Sequence, residues 1–297
     1  DEVLTKFTAS KGNPLYLKLA FEEARLWTSY QQQQEELTVG VAGIIKDNMI
    51  ERLTDESNHG EQLVSHALGY LAVSRNGLAE DELVDLLSRD VDVYEWFFRQ
   101  TYHLPSDLVH MAMAHLKKNP SAAENLHPES YHDAERLAVD WLKQDRNPPE
   151  PVRAFLRKVL QSPDGPRLPI VLWSRLSFDL APYLSERFVD GSSLLSFYHR
   201  ELKDVSEEKF LGEEAAPLFH AKLADYFQIK ADPAEDQSWN GGNKHALSEL
   251  PYHRISAKER DKVFSLLTDF KFMEHKAEEV GITRTTDEFG REAVTSE

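Results

Sequence analysis

The stretch Leu184-Ser185-Glu186-Arg187-Phe188-Val189-Asp190-Gly191-Ser192-Ser193-Leu194-Leu195-Ser196-Phe197-Tyr198 decides the fold. Two short segments, Leu184 to Val189 and Ser193 to Tyr198, alternate in the manner of half-buried strands. Asp190-Gly191 stands between them, and this dipeptide suits a two-residue turn whose backbone needs positive φ. A β-hairpin is therefore predicted in a chain otherwise ruled by helical spacing.

Upstream of the hairpin, Trp173, Leu176 and Leu180 mark a helix. Further back, Val64, Leu68 and Leu71 recur at i, i+4 and i+7, an amphipathic helix that stops near Asn76-Gly77. A second helix follows, with Glu80-Asp81-Glu82 at its positive N-terminal end and Leu83, Leu86 and Leu87 as its buried stripe. Two helices, a third helix and a hairpin in that order describe a winged helix. Residues 91–166 interrupt it. There Tyr94, Trp96, Phe97 and Phe98 read as a core aromatic knot, Asn119 to Ser130 as a loop, and 131–144 and 151–161 as helices. Ser162-Pro163-Asp164-Gly165-Pro166 ends the excursion as a strong breaker.

Downstream, helices are predicted over about 200–211 and 215–228, where Phe219, Leu223 and Tyr226 share a face. A loop from Gln237 to Asn243 leads to helices at about 244–256, 258–268 and 270–280. Short helices of this length suit a bundle or the start of an α-solenoid. The tail after Gly281 is polar and reads as irregular. Near the N-terminus, Leu15, Leu19 and Leu26 form one helical face, with Glu22 and Glu23 turned elsewhere. Asn13 is placed to cap that helix, and Pro14 suits its first position. The polar run Gln31 to Glu36 is a connector, Val41, Ile44, Ile45 and Met49 are a further apolar pattern, and Thr54 to Gly60 breaks it. The expected fold is mostly α, a winged helix with a short β-hairpin flanked by helical bundle regions. Its divisions are a helical region over 1–60, a winged-helix domain over 61–212 with an irregular helical excursion at about 91–166, and a helical domain over 213–297.

Composition narrows the function. The 297 residues carry 34 basic and 51 acidic side chains, a net charge of −17 with histidine neutral. Such a surface repels nucleic-acid backbones and membrane headgroups. The helix from Glu80 to Asp90, taken as the recognition helix, holds five acids against the single base Arg89. Protein contacts are therefore expected in place of DNA. No stretch reaches the roughly 18 apolar residues of a membrane-spanning helix, and the first residues lack the character of a signal peptide. The absence of cysteine excludes a thiolate nucleophile and a disulfide framework, and it fits a reducing, cytoplasmic setting.

No catalytic or metal-binding set emerges. GxxxxGK[ST] and GxGxxG are both missing, so no phosphate cradle is expected in this segment. His103, His110 and His115 are separated by seven and five residues, which does not align three ligands on one helical face. There is no GxSxG elbow.

Four segments, in order, resemble the lid and winged-helix region of STAND-class signal-transduction NTPases, in particular NACHT-like ones. Gly12-Asn13-Pro14-Leu15-Tyr16-Leu17-Lys18-Leu19-Ala20 looks like their GxP-type motif. His66 to Leu78 is similar to the first helices of their winged helix. Leu168-Pro169-Ile170-Val171-Leu172-Trp173-Ser174-Arg175-Leu176 has the cast of NACHT proteins that carry WD or TPR repeats. Leu195-Ser196-Phe197-Tyr198-His199-Arg200 resembles the FxH segment that ends the winged helix. The likeness covers most of 1–270 and is weakest over 91–150. It implies a non-catalytic regulatory arm of an ATPase, with ATP or ADP bound only in a longer protein. Pro14 would pack on the adenine ring and His199 would reach the β-phosphate of ADP. The implied partners are a nucleotide-binding core and sensor repeats of the same chain, with self-association on activation. A helical protein-interaction scaffold and a nucleic-acid-binding winged helix are the other readings open to these residues.

Overall fold

A computed structural model describes residues 2–27, 36–90, 92–93, 96–97, 110, 114, 168–189 and 192–280, and the backbone of strands at 283–286 and 292–295. The chain divides into two compact units, one of Asp1–Leu86 with Ile170–Glu297 and one of Leu87–Pro169. The helices expected at 131–144 and 151–161, the loop at 119–130 and the breaker at 162–166 lie outside the described residues. So do Tyr94 and Phe98 of the aromatic knot, whereas Phe97 is described and buried. Within this second unit the Ser88 hydroxyl accepts a hydrogen bond from the Leu168 amide at 3.0 Å.

The first unit opens with α1 (Glu2–Ala9), a helix the sequence reading does not anticipate, and α2 (Pro14–Ala24). As expected, Pro14 occupies the first turn of α2 and the Asn13 side chain accepts from the Leu15 amide at 2.9 Å. The buried face differs from the expected one. Tyr16, Leu19, Ala20 and Glu23 point inward, while Leu26 lies past the helix end and is 43% exposed. Positions 16, 19, 20 and 23 are the i, i+3, i+4, i+7 stripe that a helix ending at Ala24 must bury. Glu23 enters the core because partners meet it there. Arg52 donates to it through a fork, at 2.9 Å from Nε and 3.0 Å from Nη2, and the Tyr183 hydroxyl donates at 2.6 Å. Burial, and then the Glu23 charge, push the Tyr183 hydroxyl far above the ordinary tyrosine range.

Arg52 sits on a continuous helical run built from α3 (Val41–Gly43), a π-helical segment over Ile44–Ile50 and α4 (Glu51–Thr54). Next comes α5 (Glu61–Val73), expected to be amphipathic. It buries ten of its thirteen residues and so runs through the middle of the unit. It also stops a turn before Asn76-Gly77, where Ser74 donates its hydroxyl back to the Leu71 carbonyl at 2.7 Å. Gly77 has φ +102°, and a Cβ there would lie 2.4 Å from the Leu195 carbonyl oxygen. The turn therefore requires glycine.

Beyond that turn lie β1 (Leu78–Ala79) and α6 (Glu80–Arg89), and after the second unit α7 (Ile170–Leu180). Trp173, Leu176 and Leu180 are buried, as their spacing requires. A short 3-10 turn over Ala181–Tyr183 leads into β2 (Leu184–Val189) and β3 (Ser192–Phe197). The two strands pair antiparallel from Leu184↔Phe197 to Val189↔Ser192, which is the predicted hairpin. Its turn residues, Asp190 and Gly191, lie outside the described residues. With β1 paired to β3, the sheet order is β1-β3-β2. This order of helices and strands is compatible with a winged helix.

Five helices follow: α8 (Arg200–Phe210), α9 (Gly212–Ala231), α10 (Lys244–Ser256), α11 (Arg260–Leu267) and α12 (Phe270–Glu279). Phe219, Leu223 and Tyr226 on α9 are buried as predicted. The tail departs from expectation. Instead of irregular chain it holds β4 (Thr283–Thr286) paired antiparallel with β5 (Glu292–Thr295). Its β-branched Thr and Val residues favour extended backbone even where few residues are apolar.

Arg52→Ala leaves the Glu23 carboxylate buried and short of its main cation. The expected loss is about 3–5 kcal/mol, the usual cost of an uncompensated internal charge. Urea denaturation checks it, and a loss below about 1 kcal/mol, the range of a surface pair, would show that solvent reaches Glu23.

Candidate functional site

Pro14 and His199 lie on different elements, and the structure joins those elements through their neighbours. Lys18 stands one turn beyond Pro14 on α2, and its ammonium rests 3.6 Å from the centre of the Tyr198 ring. Cation–π contact of this kind is a modest attraction, up to about 2 kcal/mol when water is excluded. Tyr198 precedes His199 at the corner between β3 and α8, and its backbone amide donates to the Tyr183 carbonyl at 3.2 Å. Pro14 and His199 are both exposed, so each keeps its ring available to a ligand.

The His199 ring has a defined orientation. It is the N-cap of α8, with extended backbone angles of φ −140° and ψ 141°, and its Nδ1 accepts from the Glu201 amide at 3.2 Å. A nitrogen that accepts carries no proton, so in the neutral ring the proton sits on Nε2. The corner therefore presents an exposed N–H donor, held by the first turn of a helix. Arg200 adds a mostly exposed guanidinium, 3.3 Å from Asp204. Lys18 and Arg200 bring two cations to this corner, where Glu22 beside Tyr198 and Asp204 beside Arg200 offset them.

Tyr198 itself is unusual. Its hydroxyl oxygen is buried with no hydrogen-bond partner among the described residues, and burial, then the Glu22 carboxylate, push its pKa up to about 12. Lys18 and Tyr198 escape sequence reasoning as site residues, although the i, i+4 relation of Lys18 to Pro14 already puts both on one face of α2.

Part of the acidity of α6 is engaged within the fold. Trp173 Nε1 donates to Glu80 at 2.7 Å, Lys230 to Asp85 at 3.0 Å, and His245 lies 2.9 Å from Glu82. Glu82 is buried and Asp85 half-buried, while Glu80 and Asp81 stay exposed. The helix that leads into the hairpin is α7, and its exposed residues are Ile170, Val171, Ser174, Arg175 and Phe178. One base among apolar side chains is a poor phosphate reader. Of the three histidines weighed as metal ligands, His110 is described and exposed, while His103 and His115 lie outside the described residues.

No family model matches the chain, and no solved structure matches it with significance. Human NACHT domain- and WD repeat-containing protein 1 is 31% identical over 238 residues, covering 80% of this chain and 11% of that protein. The Mus musculus protein of the same name is 31% identical over 270 residues, or 83% of this chain and 13% of its own length. Human NACHT and WD repeat domain-containing protein 2 is 27% identical over 244 residues, 80% of this chain and 10% of that protein. The chain is a relative of the NACHT and WD repeat-containing proteins. It spans about a tenth of the length of the curated relatives it matches. Among its described residues no helix is long and apolar enough to cross a membrane.

In this NACHT-related segment the cap and the outward donor of His199 can be separated by substitution. His199→Ala removes both and should cost about 1 kcal/mol of stability, the usual worth of an N-cap. His199→Asn keeps an acceptor for the Glu201 amide and should hold wild-type stability or exceed it. Thermal denaturation of the two variants checks this, and equal losses in both would exclude the cap.

Proposed function

We propose that this chain is the non-catalytic regulatory arm of a STAND/NACHT-type ATPase. On this reading it holds a nucleotide-bound closed state and couples a sensor elsewhere in the longer protein to self-association in signalling. The observation that carries the reading is the His199 ring. Capping by Nδ1 leaves Nε2–H directed outward, the form that donates to a phosphate oxygen. The exposed Pro14 ring gives a rigid apolar surface suited to a purine face, and Lys18 on the same helix supplies a cation nearby.

The nucleotide would be bound by a core outside this segment. His199 then acts as a differential contact, made in the closed state and lost in the open one. It moves no proton and makes no bond. The relatives' names, which join NACHT and WD repeat regions in one protein, support a core and a sensor as partners within the chain.

A helical scaffold that joins partner proteins is favoured by one observation. Phe264 on α11 is 71% exposed and Phe270 on α12 is 81% exposed. The nucleic-acid reading has no such support, given the −17 charge and the single base on the exposed side of α7.

In the full-length protein, His199→Asn should speed ADP release. Loss of one charge-assisted hydrogen bond costs about 1.5–3 kcal/mol, or roughly 10- to 150-fold in the closed-to-open ratio. Oligomers should then form without the activating ligand. Stopped-flow release of a fluorescent ADP measures the rate, and an off-rate unchanged in this stability-neutral variant would assign His199 to capping alone. For the rival reading, fluorescence anisotropy with duplex DNA at physiological salt should show no binding. Sequence-selective affinity near ~10⁻⁸ M, ordinary for specific DNA binders, would overturn the protein-contact role.

A further inference from the structure

Two buried histidines, one half-buried histidine and two buried carboxylates line the contact among α9, α10 and the α5–α6 connection. His253 and Glu249, one turn apart on α10, are wholly buried, with His253 Nε2 3.4 Å from Glu249 Oε2. Asn76, in the turn before β1, donates its Nδ2 to the other Glu249 oxygen at 2.7 Å. On the opposite edge of the His253 ring, Nδ1 lies 2.8 Å from Nδ1 of His220 on α9. Phe227 stacks on His253 at 5.6 Å, and Tyr252 meets the His220 ring edge-on at 5.7 Å.

Proton counting at this contact is strict. Two ring nitrogens 2.8 Å apart can share one hydrogen and no more, since a second would set N–H against N–H. Glu249 accepts only, and its Oε2 lies 3.4 Å from His253 Nε2, a long approach that still favours hydrogen on that nitrogen and leaves Nδ1 bare. His220 must then donate from its own Nδ1. One added proton can be accommodated on His220 Nε2, with the single hydrogen between the two Nδ1 atoms kept. Full protonation of both rings cannot be accommodated, and the contact must open.

We propose that the His220–His253 contact is an acid-released latch that fastens α9 to α10, and through Glu249 and Asn76 to the turn that enters β1. The charges around it are mixed. Glu249 favours protonated His253, whereas His245, beside Glu82 of α6, opposes it. Lys203 on α8 opposes protonation of His220, and Arg75, 5.8 Å from the Tyr252 ring, and Lys276 on α12 add further positive charge. Burial, then His253, lowers His220 to about 4, and burial also lowers His253 against the pull of Glu249. The closed contact thus binds a proton more weakly than the open one. The latch is intact above about pH 6.5, the free histidine value, and weakens as pH falls toward 4. Glu249 acts in a lower window. Burial tends to raise it, but its hydrogen bond with His253 and the nearby histidine charges hold it below the usual glutamate range, so its share is lost only below about pH 4.5.

Native-state hydrogen exchange on the 297-residue chain, corrected for intrinsic rates, tests the latch at pH 7.5 and 5.0. Protection across Lys244–Ser256 should fall by about 30-fold at the lower pH because the closed contact excludes the second of two protons that the open histidines take up. His220→Asn, which can still donate to His253 Nδ1 but cannot titrate, should keep its neutral-pH protection and lose most of that acid sensitivity. Undiminished wild-type protection at pH 5.0, or an undiminished acid effect in His220→Asn, would overturn the proposal. Imidazole nitrogen NMR on the wild-type chain gives a readout independent of that variant. At pH 7.5 it should find His253 protonated at Nε2 and His220 at Nδ1, and the opposite tautomers would equally overturn it.

Discussion

A carboxylate inside a protein core must be paired, and the Glu23 carboxylate organises much of this fold through that requirement. Its partners come from two distant places, Arg52 on α4 and Tyr183 at the entrance to the hairpin. Pairing therefore ties α2 to both. Tyr183 then accepts through its backbone carbonyl from Tyr198, and Tyr198 lies under Lys18 of α2. The links close a ring that starts and ends on α2. Pro14 and His199 are presented from members of this ring, so the geometry of the candidate site rests on one internal charge.

The same logic governs the excess acidity. A net charge of −17 looks, in composition, like a uniformly repelling surface. In the fold, Glu23, Glu82 and Glu249 are buried with basic or hydrogen-bonding partners, and Asp85 meets Lys230. Glu82 and Asp85 of α6 therefore fasten helices together. At the β3–α8 corner, the cation–π contact of Lys18 and the N-cap of His199 give these two groups fixed positions.

Much of the architecture was legible in residue spacing. Asp190-Gly191 between alternating segments identified the hairpin, and the Trp173, Leu176, Leu180 and Phe219, Leu223, Tyr226 patterns identified buried helix faces, because period and turn chemistry are local properties. Other features were not legible for equally physical reasons. α1 is short and has no buried residue, so it carries little pattern. β4 and β5 depend on pairing with each other, and their polar composition hides it. The burial of Glu23 was misread because periodicity ranks a residue by polarity, whereas its place is set by an arginine about 30 positions away.

For the candidate site the division is similar. Sequence alone determined that Pro14 starts a helix, that His199 follows a strand, and that no phosphate cradle of the GxxxxGK[ST] type is present, since each depends on adjacent residues. Tertiary structure decided that α2 and the β3–α8 corner meet, that Lys18 and Tyr198 make the junction, and that His199 turns its protonated nitrogen outward. Those outcomes depend on which distant groups are brought within hydrogen-bonding or ring contact, and spacing along a chain carries no record of that.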